Sequence, residues 1–475
     1  MKLTLLTLIL ATTIAGIYAQ NRTEDLTPLM GSTSTTRLIQ MDVWSLDTLQ
    51  LDILYNYWNA YVEAHPKDEQ AWRNLYEITE QRKKWNWDTA HEYVRRTNVV
   101  GRMEKAIPDS YTFNYCASQS DTLVSNYIGK DELVRNRNLY ADRAIELLTD
   151  DEAYDFEHWV SYLVMQEDTT ALINVLTRYF NSGLYPAEVL QYHFNELQGM
   201  DEGAIYFGAR QSDIVGKLIL QYVLGVHRDK ILFCEDYAAY LPYLKAFFRQ
   251  TALPQSFFEP GSEWFQSLST PADWERCTIR YICEHSKRPV YFSAISVWEF
   301  INYGIITEDM KANIYNEGLT MRYSAKPYDN QAVKRRNVEE RYRLEYLRLS
   351  FQPYQDVLSK YKSRNHKRTI HSTAHLAFNY LLLFNDLLPY YEAHDPERHS
   401  GLRGLFTDII AELVRKDNYG VGMHNSVYVI REVTEGGLHY ELVEDPTLFD
   451  EFSRKANNIP DDAAPRVLFK TDPVK

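Results

Sequence analysis

The chain has 475 residues, 45% of them hydrophobic and 24% charged, with a formal net charge of −14. Plentiful apolar residues exclude general disorder, and the acidic balance excludes a nucleic-acid partner, because phosphate binding needs a basic face. A chain of this length divides into two or three domains, and its 36 tyrosines suit helix seams and recognition surfaces alike.

Residues 1–19 read as a signal peptide. Lys2 is a minimal charged start, Leu3–Ile17 is apolar, and Ile17-Tyr18-Ala19 offers a small-residue cleavage site before Gln20. The apolar run, at about 15 residues, is short of the roughly 20 that a membrane span requires. No cysteine follows it to take a lipid, and no later segment reads as a span after signal cleavage. The expected location is therefore periplasmic or extracellular. Residues 20–40 form a polar, mobile leader, with Asn21-Arg22-Thr23 matching a glycosylation sequon.

Residues 41–200 carry a helical pattern. Leu51, Leu54, Tyr55, Trp58, Tyr61 and Val62 form one apolar stripe, which Pro66 ends, and Trp72, Leu75 and Tyr76 begin the next helix. Pro66, Trp72 and Leu75 resemble the joint between tetratricopeptide repeats. Tyr76 stands where a small residue is usual, and Asp88 and Glu92 fall where the next helix wants apolar ones. Further helices are expected over Leu133–Leu148, Ala153–Met165, Thr170–Phe180 and Ala187–Leu197. Strict repeats are absent, so this is an irregular helical-repeat region.

From 201 to 328 the rhythm alternates between strand and helix. Ala204–Phe207 and Lys230–Cys234 are short, apolar and β-prone, and between them Ile214, Val215, Leu218, Ile219, Tyr222, Val223 and Val226 keep helical spacing. Strand, crossover helix and strand make a βαβ unit with parallel strands. A tyrosine-rich helix (Tyr237–Gln250), a helix over Pro271–His285 and a third strand at Arg288-Pro-Val-Tyr-Phe-Ser293 follow. Ser296-Val-Trp-Glu299 fits a capping box, and Leu319–Tyr323 suits a fourth strand. The expected product is a small Rossmann-like, doubly wound parallel sheet with helices. Residues 329–475 read as a helical region with a β-hairpin near 426–443. The fold class is thus α/β and α.

The four cysteines, Cys116, Cys234, Cys277 and Cys283, show no metal-type pairing and read as mostly structural.

Tyr192, Ala204-Ile-Tyr-Phe207, Val226-His-Arg-Asp229 and Arg288-Pro-Val-Tyr-Phe292 together carry a resemblance. This stretch is similar to the soluble C-terminal region of bacterial envelope proteins whose membrane half looks like a protein O-mannosyltransferase. The resemblance implies an α/β segment beside helical repeats, of unknown role. The multi-span half has no counterpart in this sequence, so transferase activity is not implied. Of the Gly-Asp-Asn-Asp cluster usual after the first strand, Gly208-Ala-Arg-Gln-Ser-Asp213 keeps the Gly and the last Asp.

Ligands of open parallel sheets sit beyond the carboxyl ends of the strands. Those ends offer Arg210, Ser212 and Asp213, then Glu235 and Asp236, then Ser293 and Ser296 as ligand-binding candidates. The glycine turn that lets a backbone approach pyrophosphate is missing, so no dinucleotide or other cofactor is expected. Ser212, Asp213 and Ser296 are also ordinary N-cap residues. His371 and His375 could share a helix face, but Ser372 stands where a zincin has Glu, so no metal is assigned. Lys360, Lys362, Arg364, Lys367 and Arg368 form a basic run that reads as a solvated loop. No catalytic residue is named.

These features describe an exported, non-enzymatic envelope protein that binds a protein partner through helical-repeat and aromatic surfaces. The alternative is a glycan-related enzyme or glycan-binding accessory using the α/β crevice. An aromatic lining beside the polar strand ends would favour that alternative.

Overall fold

The computed structural model describes residues 30, 38, 43, 46–85, 99–119, 131–182, 185, 187–208, 210–238, 240–259, 261–266, 271–342, 344, 379–380, 383–384, 386–405, 427–434 and 437–443. The expected signal peptide, the sequon, nearly all of the leader, the basic run and His371 and His375 lie outside these residues. The described chain is mostly helical, with one mixed five-stranded sheet and one two-stranded hairpin. Among the described residues no helix is long and apolar enough to cross a membrane. The described residues divide into two compact units, one up to residue 152 and the other from 153 onward.

In the first unit, α1 (Thr48–Ala64), α2 (Glu69–Trp85), α3 (Tyr111–Gln119) and α4 (Asp131–Leu147) each pack against the next. Asp47 opens α1 with a reciprocal cap: its carboxylate accepts from Gln50 N at 2.8 Å, and its own N–H donates to the Gln50 side chain at 2.9 Å. Leu51, Leu54, Trp58 and Val62 are buried, while Tyr55 and Tyr61 pack at the edge of that core. Pro66 ends the helix, and its carbonyl accepts from Trp72 Nε1 at 2.9 Å, which locks the joint between α1 and α2. Tyr76 is buried in the seam.

The second unit begins with α5 (Phe156–Met165), α6 (Thr169–Asn181) and α7 (Ala187–Gly199). The expected boundary at 200 therefore falls inside this unit. The cause is packing: α5 and α7 both lie on the crossover helix, so these helices share its core. Strands β1 (Ile205–Gly208), β2 (Ile231–Cys234) and β3 (Val290–Ser293) follow, with β1 parallel to both neighbours. The crossover helix is α8 (Gln211–Leu218), continued by a π turn, Ile219–Val223. Ile219 is fully buried as its spacing implied. The wider π turn changes the phase, so Tyr222 turns outward and the polar Gln221 turns inward. The Gln221 amide is satisfied there by the carbonyls of His227 and Lys230, at 2.8 and 2.9 Å.

The sheet is mixed rather than wholly parallel, in the order β2-β1-β3-β5-β4. Strand β4 (Ile314–Asn316), unforeseen in the sequence, turns back through Gly318, at φ +128°, into β5 (Thr320–Tyr323). A tight hairpin can only return a strand antiparallel, and β5 docks on β3 in that sense. One face of the sheet is a phenylalanine row. Phe207, Phe233 and Phe292 stand in register, with Phe207 stacked on Phe292 at 5.1 Å and Phe233 against Phe247 of α9 (Leu241–Thr251) at 4.7 Å. The opposite face carries Tyr206 and Tyr291, also in register, with the crossover helix above Tyr206.

Helix α10 (Pro271–His285) matches its expected span. After β3 comes α11 (Ala294–Asn302). Its cap is Ser293, whose hydroxyl accepts from Ser296 N at 2.9 Å, so the helix starts three residues before the Ser296 capping box read from the sequence. The hairpin near 426–443 is present as β6 (Val427–Thr434) and β7 (Gly437–Val443), antiparallel with an irregularity between Ile430 and Glu432. Of the four cysteines Cys116, Cys234 and Cys283 are buried and Cys277 is partly so.

Candidate functional site

The crevice forms where the chain leaves β1, β2 and β3. Arg210 follows β1 in extended backbone, just before α8. Its Nη2 and Nε both reach Glu299 Oε1, at 3.1 and 3.3 Å, and its Nη1 lies 3.7 Å from Asp236 Oδ1. Glu299 belongs to α11, so the guanidinium spans the ends of β1 and β3. Asp236 caps the crossover helix from the end of β2, its Oδ2 accepting from Gln211 N at 3.0 Å. A carboxylate there also faces the positive end of the helix dipole.

Glu235 is the residue without a match. It is 9% exposed, and among the described residues its carboxyl has no hydrogen-bond partner. Burial, reinforced by the charges of Glu275 and Glu299, pushes it up to about 8 despite the opposing pull of Arg210. Burial also raises Asp236, against the Gln211 N–H and Arg210, and raises Glu275 of α10. Tyr303, at the end of α11 and 61% exposed, lies close enough to Arg210 to interact with it electrostatically.

The expected candidates thus part company. Arg210, Glu235 and Asp236 meet. Ser293 and Ser296 are buried behind them and spent on structure, with Ser296 Oγ donating to Phe207 O at 2.9 Å and lying 2.7 Å from Ser293 Oγ. Ser212 points to solvent from the first turn of α8. Asp213 does not join the crevice. It sits four residues before Lys217, hence on the same helix face, and is buried on the Tyr206 side of the sheet. Neither Ser212 nor Asp213 caps α8, because Asp236 meets the helix end from another strand.

On that side His193, Glu196 and Asp213 bring ligand atoms within 4.8 Å of one another, a donor set that could face a metal ion. Lys217 Nζ already sits among them, 2.6 Å from Glu196 Oε2, 2.7 Å from His193 Nδ1 and 2.7 Å from Asp213 O. Tyr206 Oη donates to the other Glu196 oxygen at 2.9 Å. Burial and the Lys217 charge hold His193 well below its ordinary range, while burial raises Glu196 against the pull of Lys217. The ammonium supplies the positive charge the donors need, and the cluster is a satisfied internal ion network.

Glu275, Glu299 and Tyr303 were missed in the sequence. For Glu299 a signal existed: with the cap moved to Ser293, it stands on the helix face turned toward the strand ends. Comparison with models of protein families, with curated proteins and with solved structures finds no match for this chain.

Proposed function

We propose that the crevice at the ends of β1, β2 and β3 binds a small polar ligand, and that the chain is an exported, glycan-related binding accessory or enzyme of the cell envelope. The observation that carries this is Glu299 Oε2, a buried oxygen left without a hydrogen-bond partner among the described residues, on the carboxylate that holds Arg210 and beside the 9%-exposed Glu235. Burying such a group unmatched is unfavourable by about 1–3 kcal/mol, and binding sites retain such groups because a ligand completes them. The position supports the same reading, since a Rossmann-like arrangement of β1, β2 and β3 binds ligands beyond the carboxyl ends of its strands. Tyr303 adds an exposed aromatic face of the kind that sugar rings stack on. Export rests on the signal at Lys2 to Ala19, and the envelope setting on the family resemblance.

Ligand-detected NMR on the mature chain tests it with a mixture of glucose, glucosamine, N-acetylglucosamine and glucose 6-phosphate. At least one probe should bind, and Arg210→Ala or Glu235→Gln should weaken it tenfold or more, about 1.4 kcal/mol, without lowering the melting temperature. Binding that survives both changes would remove the crevice from consideration.

A second reading is protein binding through the helical unit. Leu49 and Ile53 favour it, standing one turn apart on α1 at 68% and 42% exposed. Leu49→Glu would then abolish capture of a specific partner from envelope extracts, and unchanged capture would reject it.

A further inference from the structure

We infer that the group recognised in this crevice is a cation carried by the ligand, a protonated amine or a guanidinium. Four carboxyls, Glu235, Asp236, Glu275 and Glu299, surround one guanidinium, Arg210. Resting on the crevice reading above, this excess names the class of ligand.

The hydrogen bonds show where the surplus lies. Arg210 spends both Nη2 and Nε on the same oxygen, Glu299 Oε1. Glu299 Oε2 remains buried with no hydrogen-bond partner among the described residues. Asp236 gives Oδ2 to the end of α8, leaving Oδ1 at 3.7 Å from Arg210. Glu235 is nine-tenths buried, and the nearby charges of Glu275, Glu299 and Asp236 add to burial in disfavouring its ionised form. One buried acceptor, Glu299 Oε2 on α11, therefore lacks a donor there among the described residues. Donors are what an ammonium or guanidinium brings, together with the compensating charge.

Other ligand classes fit less well. A phosphate or carboxylate would meet four carboxyls and a guanidinium already held by Glu299. A bare metal ion needs ligand atoms packed closely around it, and among the described residues the group that meets this condition is His193, Glu196 and Asp213 on the opposite side of the sheet. Among the described residues the crevice carboxyls form no such close group. Tyr303 beside Arg210 offers a ring face that attracts the same charge.

Calorimetry on the full mature chain, with probes matched in shape and different in charge, tests the inference. Glucosamine should bind at least tenfold more tightly than N-acetylglucosamine, glucose or glucose 6-phosphate. Glu299→Gln and Glu275→Gln should each weaken glucosamine fivefold or more while leaving near-ultraviolet dichroism unchanged. Spermidine should compete. If N-acetylglucosamine or glucose 6-phosphate binds as well as glucosamine and Arg210→Ala weakens it, the crevice is a site but not one for a cation. If calcium alone gives a saturable heat that Glu275→Gln removes, a metal takes the place of the amine and the inference fails. If no probe binds, the crevice reading falls and the inference with it.

Discussion

Lys217 and Glu196 are both fully buried, and the Lys217 ammonium lies 2.6 Å from Glu196 Oε2. The pair joins the crossover helix α8 to α7, and His193, Tyr206 and the Asp213 carbonyl satisfy its remaining polar atoms. Removing one partner leaves the other charged in a dry interior. Lys217→Met should therefore destabilise the protein by roughly 3–5 kcal/mol in urea unfolding. The double variant Lys217→Met with Glu196→Leu should recover most of that loss. Equal stability of the single and double variants would show that the ion pair does not act as a unit.

Gly216 adjoins this network for a steric reason. A Cβ at this position would overlap the His193 ring and the Tyr185 hydroxyl. His193 is held in place by Lys217 and Glu196, so it cannot easily withdraw. Gly216→Ala gains helix propensity, worth up to about 1 kcal/mol, and loses more through the clash. A melting temperature several degrees below wild type is expected, and one above it would show that α7 can shift away.

Glu235 should make stability fall as pH rises from about 4.5 to about 8. In the folded chain its carboxyl holds a proton up to about 8, whereas an unfolded carboxyl releases it near the ordinary value of 4.5. The folded state binds the extra proton between those values, so stability declines as pH rises through that window. Glu235→Gln has no proton to lose. Its melting temperature should match wild type near the lower end of the window and exceed it by several degrees above the upper end. Parallel pH profiles for the two proteins would contradict the buried, unmatched carboxyl.

At the joint between α1 and α2, Trp72→Phe tests a single hydrogen bond. Phenylalanine keeps much of the apolar contact but leaves the Pro66 carbonyl without the indole N–H. Loss of about 1 kcal/mol is expected from denaturant midpoints, plus a smaller packing deficit. A neutral change would mean that water replaces the indole at no cost.

Much of the architecture was legible because it is local. Leu51, Leu54, Trp58 and Val62 lie on one side of a helix by spacing alone, and they are the buried residues of α1. The same holds for Ile214, Val215, Leu218 and Ile219 in the crossover helix. Short apolar runs located β1, β2 and β3 within a residue or two. Of the proposed crevice, Arg210, Glu235 and Asp236 could be named, since each directly follows a strand.

The rest depended on contacts that no local pattern carries. Arg210 and Glu299 are 89 residues apart, and Lys217 and Glu196 are 21 apart on different helices. Periodicity reports which face of an element is apolar, and a lysine or glutamate within that face looks like an interruption until its partner is seen. The helix cap at Ser293, the capping of α8 by Asp236 and the turning of Tyr222 by a π turn follow from how elements meet. The sequence by itself determined the order of helices and strands and the residues placed at the strand ends. Tertiary packing decided which of those residues face one another, because a buried charge is stable only beside a partner that another element delivers.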